Sequence, residues 1–194
     1  MGDQSSSDRI FVDKGHGRPD RLERLWAPFR MAYIAQKTTD PFVAAPQKSD
    51  EDGLIIARGT YVFAILNLFP YNAGHLMVVP YRKECNFEDL TDAETAELTH
   101  FVKKAIRVLK KVSSPEGINV GFNLGRAAGG SVSDHLHMHV VPRWPGDSNF
   151  MTVLGDTKVL PQLLKETRQV LADAWQELDA DESARKSKVE DEGA

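Results

Sequence analysis

The stretch "SVSDHLHMHVVPRW", residues 131–144, contains half of the six histidines of a 194-residue chain. His135, His137 and His139 occupy every second position and alternate with apolar residues. Side chains two apart on a β-strand point to the same face. The spacing therefore predicts a strand over "DHLHMHVVPR" with one face that packs in a core and one face that consists of imidazole rings.

Three explanations are open for the imidazole face. A solvent-facing strand side would mix Thr, Lys, Glu and Ser, so it explains three histidines in register poorly. A metal site is possible because neutral imidazole is the commonest metal ligand, but Asp147 is the one further ligand just downstream. In the third explanation one imidazole is a nucleophile, and its neighbours stabilise charge or move a proton.

The segment before the histidines favours the third explanation. It reads "NLGRAAGGS" and leads through Gly129, Gly130 and Ser131 into the predicted strand. Glycines let backbone N–H groups approach an anion closely, and a serine adds a hydroxyl donor. We therefore predict a phosphate-binding loop here, to which Arg126 and Arg143 can add positive charge.

The composition excludes several classes of protein. A formal charge of -4 and a pI near 5.9 argue against a general nucleic-acid binder, which usually carries a basic excess. Cys85 is the only cysteine, so neither a disulfide framework nor a cysteine zinc cage is expected. The first residues lack an apolar signal region, and no apolar run approaches a membrane span. The expectation is a cytoplasmic protein with no membrane partner.

The hydrophobic pattern predicts an α+β domain. Two segments, 91–112 and 160–178, have apolar residues at helical spacing, and Thr91 with Glu94 fits a capping box. Short β-rich runs precede and separate these helices, with connections short enough for hairpins. The order predicts a mainly antiparallel sheet with two principal helices. The β-rich runs read "GLIIARG", "TYVFAILNL", "HLMVVP" and "INVGFNLG".

The same pattern divides the chain into three parts. Residues 1–20 are polar and glycine-rich, and we expect them to be loose. Residues 21–178 form the predicted compact domain. Residues 179–194 mix both charge signs with one large apolar residue, so we expect a disordered tail.

The chain resembles the histidine triad family. "HLHMHVV" fits the family signature, in which three histidines alternate with apolar residues, and "ILNLFPYNAGHLMVVP" is similar to the family's other conserved segment. The early "LWAPFRMAYI" and the late "PRWPGDSNF" are similar to the bacterial branch that contains diadenosine tetraphosphate phosphorylases. The resemblance implies an α+β fold, usually paired into a homodimer.

The resemblance also implies a chemistry. Family members bind nucleotides and cleave a phosphoanhydride or phosphoramide bond at an α-phosphate. The middle histidine, His137, would be the nucleophile and form a nucleotidyl-histidine intermediate. His135 and His139 would contact phosphate oxygens and assist proton transfer. Asn67 stands where the family contacts the ribose hydroxyls.

Further site residues follow from the same resemblance. Asn123, Gly130 and Ser131 fall at the positions of the phosphate loop. Trp144 is either a stacking platform for a base or a strand-end residue packed on the core. His75, after the turn, is expected to brace the strand and not to react.

The expected activity is phosphorolysis of a dinucleoside polyphosphate. Many relatives carry a Gln before the triad, whereas "GGSVSDH" has none, and this favours inorganic phosphate over water as the acceptor. The alternatives are a hydrolase, a nucleoside phosphoramidase, or a nucleotide-binding regulatory module without turnover. No tightly bound cofactor is expected, and Mg²⁺ would arrive with the polyphosphate. "KTTDPFVAAPQ" lacks the Cys-x-x-Cys of some bacterial relatives, so a structural zinc is not expected.

Overall fold

The computed structural model describes residues 40–128, 132–147 and 162–192. The segment expected to be loose, residues 1–20, lies outside them. The described residues contain five strands: β1 (Ile55–Arg58), β2 (Val62–Leu66), β3 (Leu76–Pro80), β4 (Gly117–Gly121) and β5 (Met138–Arg143). They also contain three α-helices: α1 (Pro41–Ala44), α2 (Asp92–Ser113) and α3 (Leu164–Glu192).

The five strands form one antiparallel sheet in the order β1-β2-β3-β5-β4. β5 lies between β3 and β4, although it comes last in the chain. Its His139 pairs with Met77 on one side and with Gly121 on the other. The predicted antiparallel α+β class with two principal helices is confirmed, and the third histidine of the triad lies inside the sheet.

The strand that was predicted to contain all three histidines begins later than expected. β5 starts at Met138, so His135 and His137 precede it. In the register of β3 with β5, Pro80 would lie opposite Leu136, and proline has no N–H for the ladder. The Leu136 N–H donates instead to the carbonyl of Glu84 at 2.6 Å. The ladder therefore ends before it reaches the first two histidines.

The two long helices cover one face of the sheet. α2 begins at the predicted capping box: Thr91 Oγ1 accepts from the Glu94 N–H, and Glu94 accepts from the Thr91 N–H. Apolar side chains of α2 and α3, among them Leu109 and Trp175, pack on alternate residues of the strands, including Val140. No helix of the described ranges combines the length and the apolar character that a membrane span needs.

The opposite face of the sheet carries the short helix α1. Phe42 on α1 is buried against Phe63, Met77 and Val79, which are strand residues that alternate with those under the long helices. His139 pairs with Met77 and so faces this side. The segment from Asp40 onward therefore lies beside the triad.

The C-terminal helix continues through the region that was expected to be a disordered tail. α3 runs to Glu192, whereas disorder was expected from residue 179. Lys104 on α2 forms an ion pair with Asp179, and Arg107 pairs with Glu182. These pairs attach the charged part of α3 to α2. The few apolar residues after position 178 predicted disorder, but ion pairs to α2 stabilise this part of the helix.

Candidate active site

His137 is held as a neutral imidazole with a defined tautomer. Its Nδ1 lies 2.8 Å from the carbonyl oxygen of His135, and because a carbonyl can only accept, Nδ1 carries the proton. Nε2 is left with the lone pair. Burial lowers the pKa of His137 below its ordinary value of 6.5 and outweighs the hydrogen bond to His135, which acts in the opposite direction. The ring therefore presents a nucleophilic nitrogen at neutral pH.

His139 lies next to His137, with 4.9 Å between the ring centroids. Its Nδ1 is 3.0 Å from Nε2 of His75. Nδ1 of His75 accepts from the Tyr71 backbone N–H at 3.0 Å, so Nε2 of His75 carries a proton and donates to His139. Neutral His139 then has its own proton on Nε2. His137 and His139 thus offer a lone pair and an N–H side by side.

His135 does not share this arrangement. Its Nε2 lies 2.9 Å from the carbonyl oxygen of Pro80, and its Nδ1 lies 2.9 Å from a carboxylate oxygen of Asp40. The residue is 1% exposed. The expectation that His135 lines one strand face with the other two histidines is wrong, because His135 precedes β5 and both of its ring nitrogens bond elsewhere. Its expected contact with phosphate oxygens stays a prediction.

The two asparagines of the predicted site join the network around His139. The Asn123 side-chain amide lies 3.2 Å from Nε2 of His139, and a half-turn of that amide presents its oxygen to the proton. Asn67 follows β2, and its amide lies 3.3 Å from Nδ1 of His75. Asn67, His75, His139 and Asn123 thus form a continuous line of contacts. Gly130 and Ser131 lie outside the described residues.

A cleft of about 450 Å³ opens beside His139. Its volume falls within the range of roughly 300–1,000 Å³ that is typical of small-molecule sites. Arg143 lines it and is bonded to Asp147 and Asn119, so its charge is fixed at the cleft wall. The other lining residues are Tyr71, Asn72, Val120, Gly121, Phe122, Asn123 and Val141.

Trp144 lies away from this cleft. Its indole N–H donates to the carbonyl of Ser113, the last residue of α2, at 3.4 Å. It lines a separate cavity of about 480 Å³ with Leu109 and Leu171, on the side of the long helices. This geometry favours core packing over a base platform at the triad of the same chain.

Two residues near the triad were missed by the sequence analysis. Asp40 contacts His135, and the Phe42 ring lies 5.5 Å from the ring of His135 and 4.9 Å from that of His137. The local signal was present, since "TDPF" fits an N-cap followed by proline at the first helical position. Nothing in that signal indicates a contact with residues almost a hundred positions later.

Within the described ranges no group of three or more His, Cys, Asp or Glu side chains is arranged to hold a metal ion. Both ring nitrogens of His135 lie 2.9 Å from protein oxygens, and Nδ1 of His139 lies 3.0 Å from Nε2 of His75.

Comparison with known proteins agrees with the site. A family model described as HIT domain matches residues 48–146, about half of the chain. An AP-4-A phosphorylase of Mycobacterium tuberculosis is 54% identical, in an alignment that covers 89% of this chain and 94% of the relative. The chain belongs to the HIT domain family. The resemblance stated from the histidine signature is thereby confirmed.

Other HIT relatives differ in their named activity. A bis(5'-nucleosyl)-tetraphosphatase (asymmetrical) of Schizosaccharomyces pombe is 38% identical over 43% of this chain and 46% of its own length. Among solved structures, a zinc-bound histidine triad family protein from Mycobacterium smegmatis matches with a TM-score of 0.54, covering 79% of this chain and 95% of that chain. At 21% identity that match shows the HIT fold alone.

The tautomer and burial of His137 predict its titration. Since burial lowers its pKa, the ring should take up a second proton only below pH 6.5. Below pH 6.5 the unfolded chain therefore binds more protons at this position than the folded chain. The free energy of unfolding should fall as the pH falls through this range. An NMR titration of the His137 ring protons checks this, with the urea-unfolded protein as control. A folded midpoint at or above the unfolded one would contradict it.

The position of Trp144 predicts a structural effect. Trp144→Ala should lower the free energy of unfolding by about 2 kcal/mol, because it removes a partly buried ring. Trp144→Phe, which keeps a ring, should lose less. Urea unfolding measures both variants, and nucleotide titration should show nearly unchanged affinity. Unchanged stability with binding weakened by about 1–3 kcal/mol would support the base platform instead.

Proposed function

We propose that this protein is a diadenosine tetraphosphate phosphorylase, which converts diadenosine tetraphosphate and inorganic phosphate into ATP and ADP. The observation that carries the proposal is the hydrogen bond from Nδ1 of His137 to the His135 carbonyl, which leaves Nε2 as a nucleophile beside the N–H of His139. The M. tuberculosis relative named AP-4-A phosphorylase supports the choice of substrate.

In the proposed reaction, Nε2 of His137 attacks an α-phosphorus of the substrate. A P–N bond forms, the bond to the bridging oxygen breaks, and ATP leaves. On substrate binding, the N–H of His139 exchanges the Asn123 oxygen for a phosphate oxygen or for the departing oxygen. Phosphate then attacks the adenylyl-histidine, the P–N bond breaks, and ADP is released. Such transfers depend mainly on positioning and on donors aimed at the phosphoryl oxygens.

The binding roles are those that the family resemblance implies. Asn123 and the phosphate loop with Gly130, Ser131 and Ser133 supply donors to the phosphate chain. Asn67 serves the ribose hydroxyls, as the resemblance implies, and its amide lies 3.3 Å from Nδ1 of His75. Mg²⁺, where it takes part, arrives with the polyphosphate. A hydrolase with the same nucleophile is the second candidate, since the S. pombe relative carries a hydrolase name.

The exposed edge of the sheet supports a homodimer. β4 has β5 as its one neighbour in the sheet of the described residues, which leaves its outer edge for another strand. Val120 and Leu124, near this edge, are 40% and 48% exposed. Two copies that join along β4 would cover both apolar side chains and complete the backbone hydrogen bonds.

The dimer predicts a solution mass of twice 21.6 kDa. Val120→Lys should weaken the association, because it places like charges opposite each other across a symmetric edge. Sedimentation velocity measures both proteins. Lys48→Ala, far from β4 in the fold, is the matched control and should remain dimeric. A wild-type mass of a single chain, or equal masses of wild type and Val120→Lys, would contradict this arrangement.

Phosphorolysis predicts a rate that depends on phosphate. With diadenosine tetraphosphate as substrate, the products should be ATP and ADP, and the rate should rise with phosphate concentration to saturation. Labelled phosphate should appear in ADP, and the kinetics should be ping-pong. His137→Ala should reduce turnover roughly 10⁴-fold or more, while it retains nucleotide binding. The products ATP and AMP, at a rate indifferent to phosphate, would assign the hydrolase instead.

A further inference from the structure

Asp40 lies outside residues 48–146 that the HIT family model matches, yet its carboxylate reaches the triad. One carboxylate oxygen, Oδ2, is 2.9 Å from Nδ1 of His135 and 3.3 Å from Nζ of Lys83. The other, Oδ1, accepts from the Phe42 N–H at 2.9 Å and caps α1. The Asp40 side chain is only 10% exposed. The segment before the family domain is thus attached to the first histidine of the triad.

The partners of His135 determine its charge. Nδ1 faces the carboxylate of Asp40 and Nε2 faces the carbonyl of Pro80, both at 2.9 Å. A carboxylate and a carbonyl oxygen can only accept, so hydrogen bonds on both sides require a proton on each nitrogen. A buried imidazolium ion needs a counter-charge, which Asp40 supplies. Burial raises the pKa of Asp40, but its hydrogen bonds with His135 and Phe42 act in the opposite direction, and the net pKa lies below the ordinary value. The carboxyl therefore stays ionised.

The backbone of His135 connects this pair to the nucleophile. The His135 carbonyl is the acceptor that sets the tautomer and the ring orientation of His137. Phe42, whose N–H is bound to Asp40, packs against the rings of both histidines. A shift of His135 would therefore move the acceptor on which His137 depends.

We propose that Asp40 is a positioning residue for the nucleophile: it holds His135 as a doubly hydrogen-bonded imidazolium ion, and the carbonyl of His135 in turn fixes His137. Only the kinetic consequence of this inference rests on the proposed function. His135 is then a buried structural cation and not a ligand of the substrate.

The charged groups around His135 provide a matched control. Lys83 bridges Asp40 and Asp134, with Nζ 2.6 Å from Asp134. The Asp134 side chain is 66% exposed and forms an ion pair with Lys83. Asp134→Asn therefore removes a similar charge from the same cluster and leaves both hydrogen bonds of the His135 ring in place. Asp40→Asn removes the charge beside His135 but keeps an oxygen for the Phe42 N–H, so the cap of α1 is preserved.

The kinetic experiment compares Asp40→Asn and Asp134→Asn with wild type in the full-length protein. Asp40→Asn should lower kcat by about 10- to 100-fold, the scale of a small misplacement of a reacting group. KM should change by less than about threefold, since the substrate contacts remain. Asp134→Asn should retain wild-type kcat. If Asp40→Asn only lowers the melting temperature, or if both variants lose kcat equally, the proposal is overturned.

A second measurement requires no turnover. In protein labelled with ¹⁵N-histidine at neutral pH, His135 of the wild type should show two protonated ring nitrogens, and His137 should be the Nδ1–H tautomer. In Asp40→Asn, His135 should lose one ring proton and His137 should populate both tautomers. A neutral His135 in the wild type, or unchanged spectra in the variant, overturns the proposal. Failure of phosphorolysis in wild type with the expected spectra refutes the proposed function alone.

Discussion

The end of the ladder between β3 and β5 organises the whole site. Pro80 closes β3 without an N–H, so β5 cannot pair beyond Met138. The free carbonyl of Pro80 accepts from the ring of His135. His139 therefore lies within the sheet. His137 lies just before β5, and its ring bonds to the backbone carbonyl of His135. A strand residue, His139, and a residue held by the backbone carbonyl of His135 thus lie side by side.

The identity of each hydrogen-bond partner decides the chemistry of each ring. The carbonyl next to His137 forces the proton onto Nδ1 and leaves a lone pair on Nε2. The Tyr71 amide forces the opposite tautomer on His75, which passes the constraint to His139. His137 and His139 have the same side chain, yet His137 presents a lone pair and His139 presents an N–H. Such pre-set donors need little reorganisation during a reaction.

The charge distribution around the site is local. A chain with a formal charge of -4 repels a polyphosphate at long range, so binding must come from donors close to the phosphates. The Arg143 guanidinium is fixed by Asp147, and it holds the pKa of that carboxyl well below its usual range. Lys83 lies between the carboxylates of Asp40 and Asp134 beside His135. Burial keeps His137 neutral, because a charged ring there would lose its hydration.

The sequence by itself determined the order of strands and helices, the capping box at Thr91 and the family, because these depend on residues close together in the chain. It also placed His137 and His139 side by side. Only the tertiary structure decided where each ring points. The partners of His135 are 95 and 55 residues away, and His75 is 64 residues from His139. A period of two predicts one face only along a continuous strand. Pro80, on β3, ends the pairing of that strand before the first two histidines.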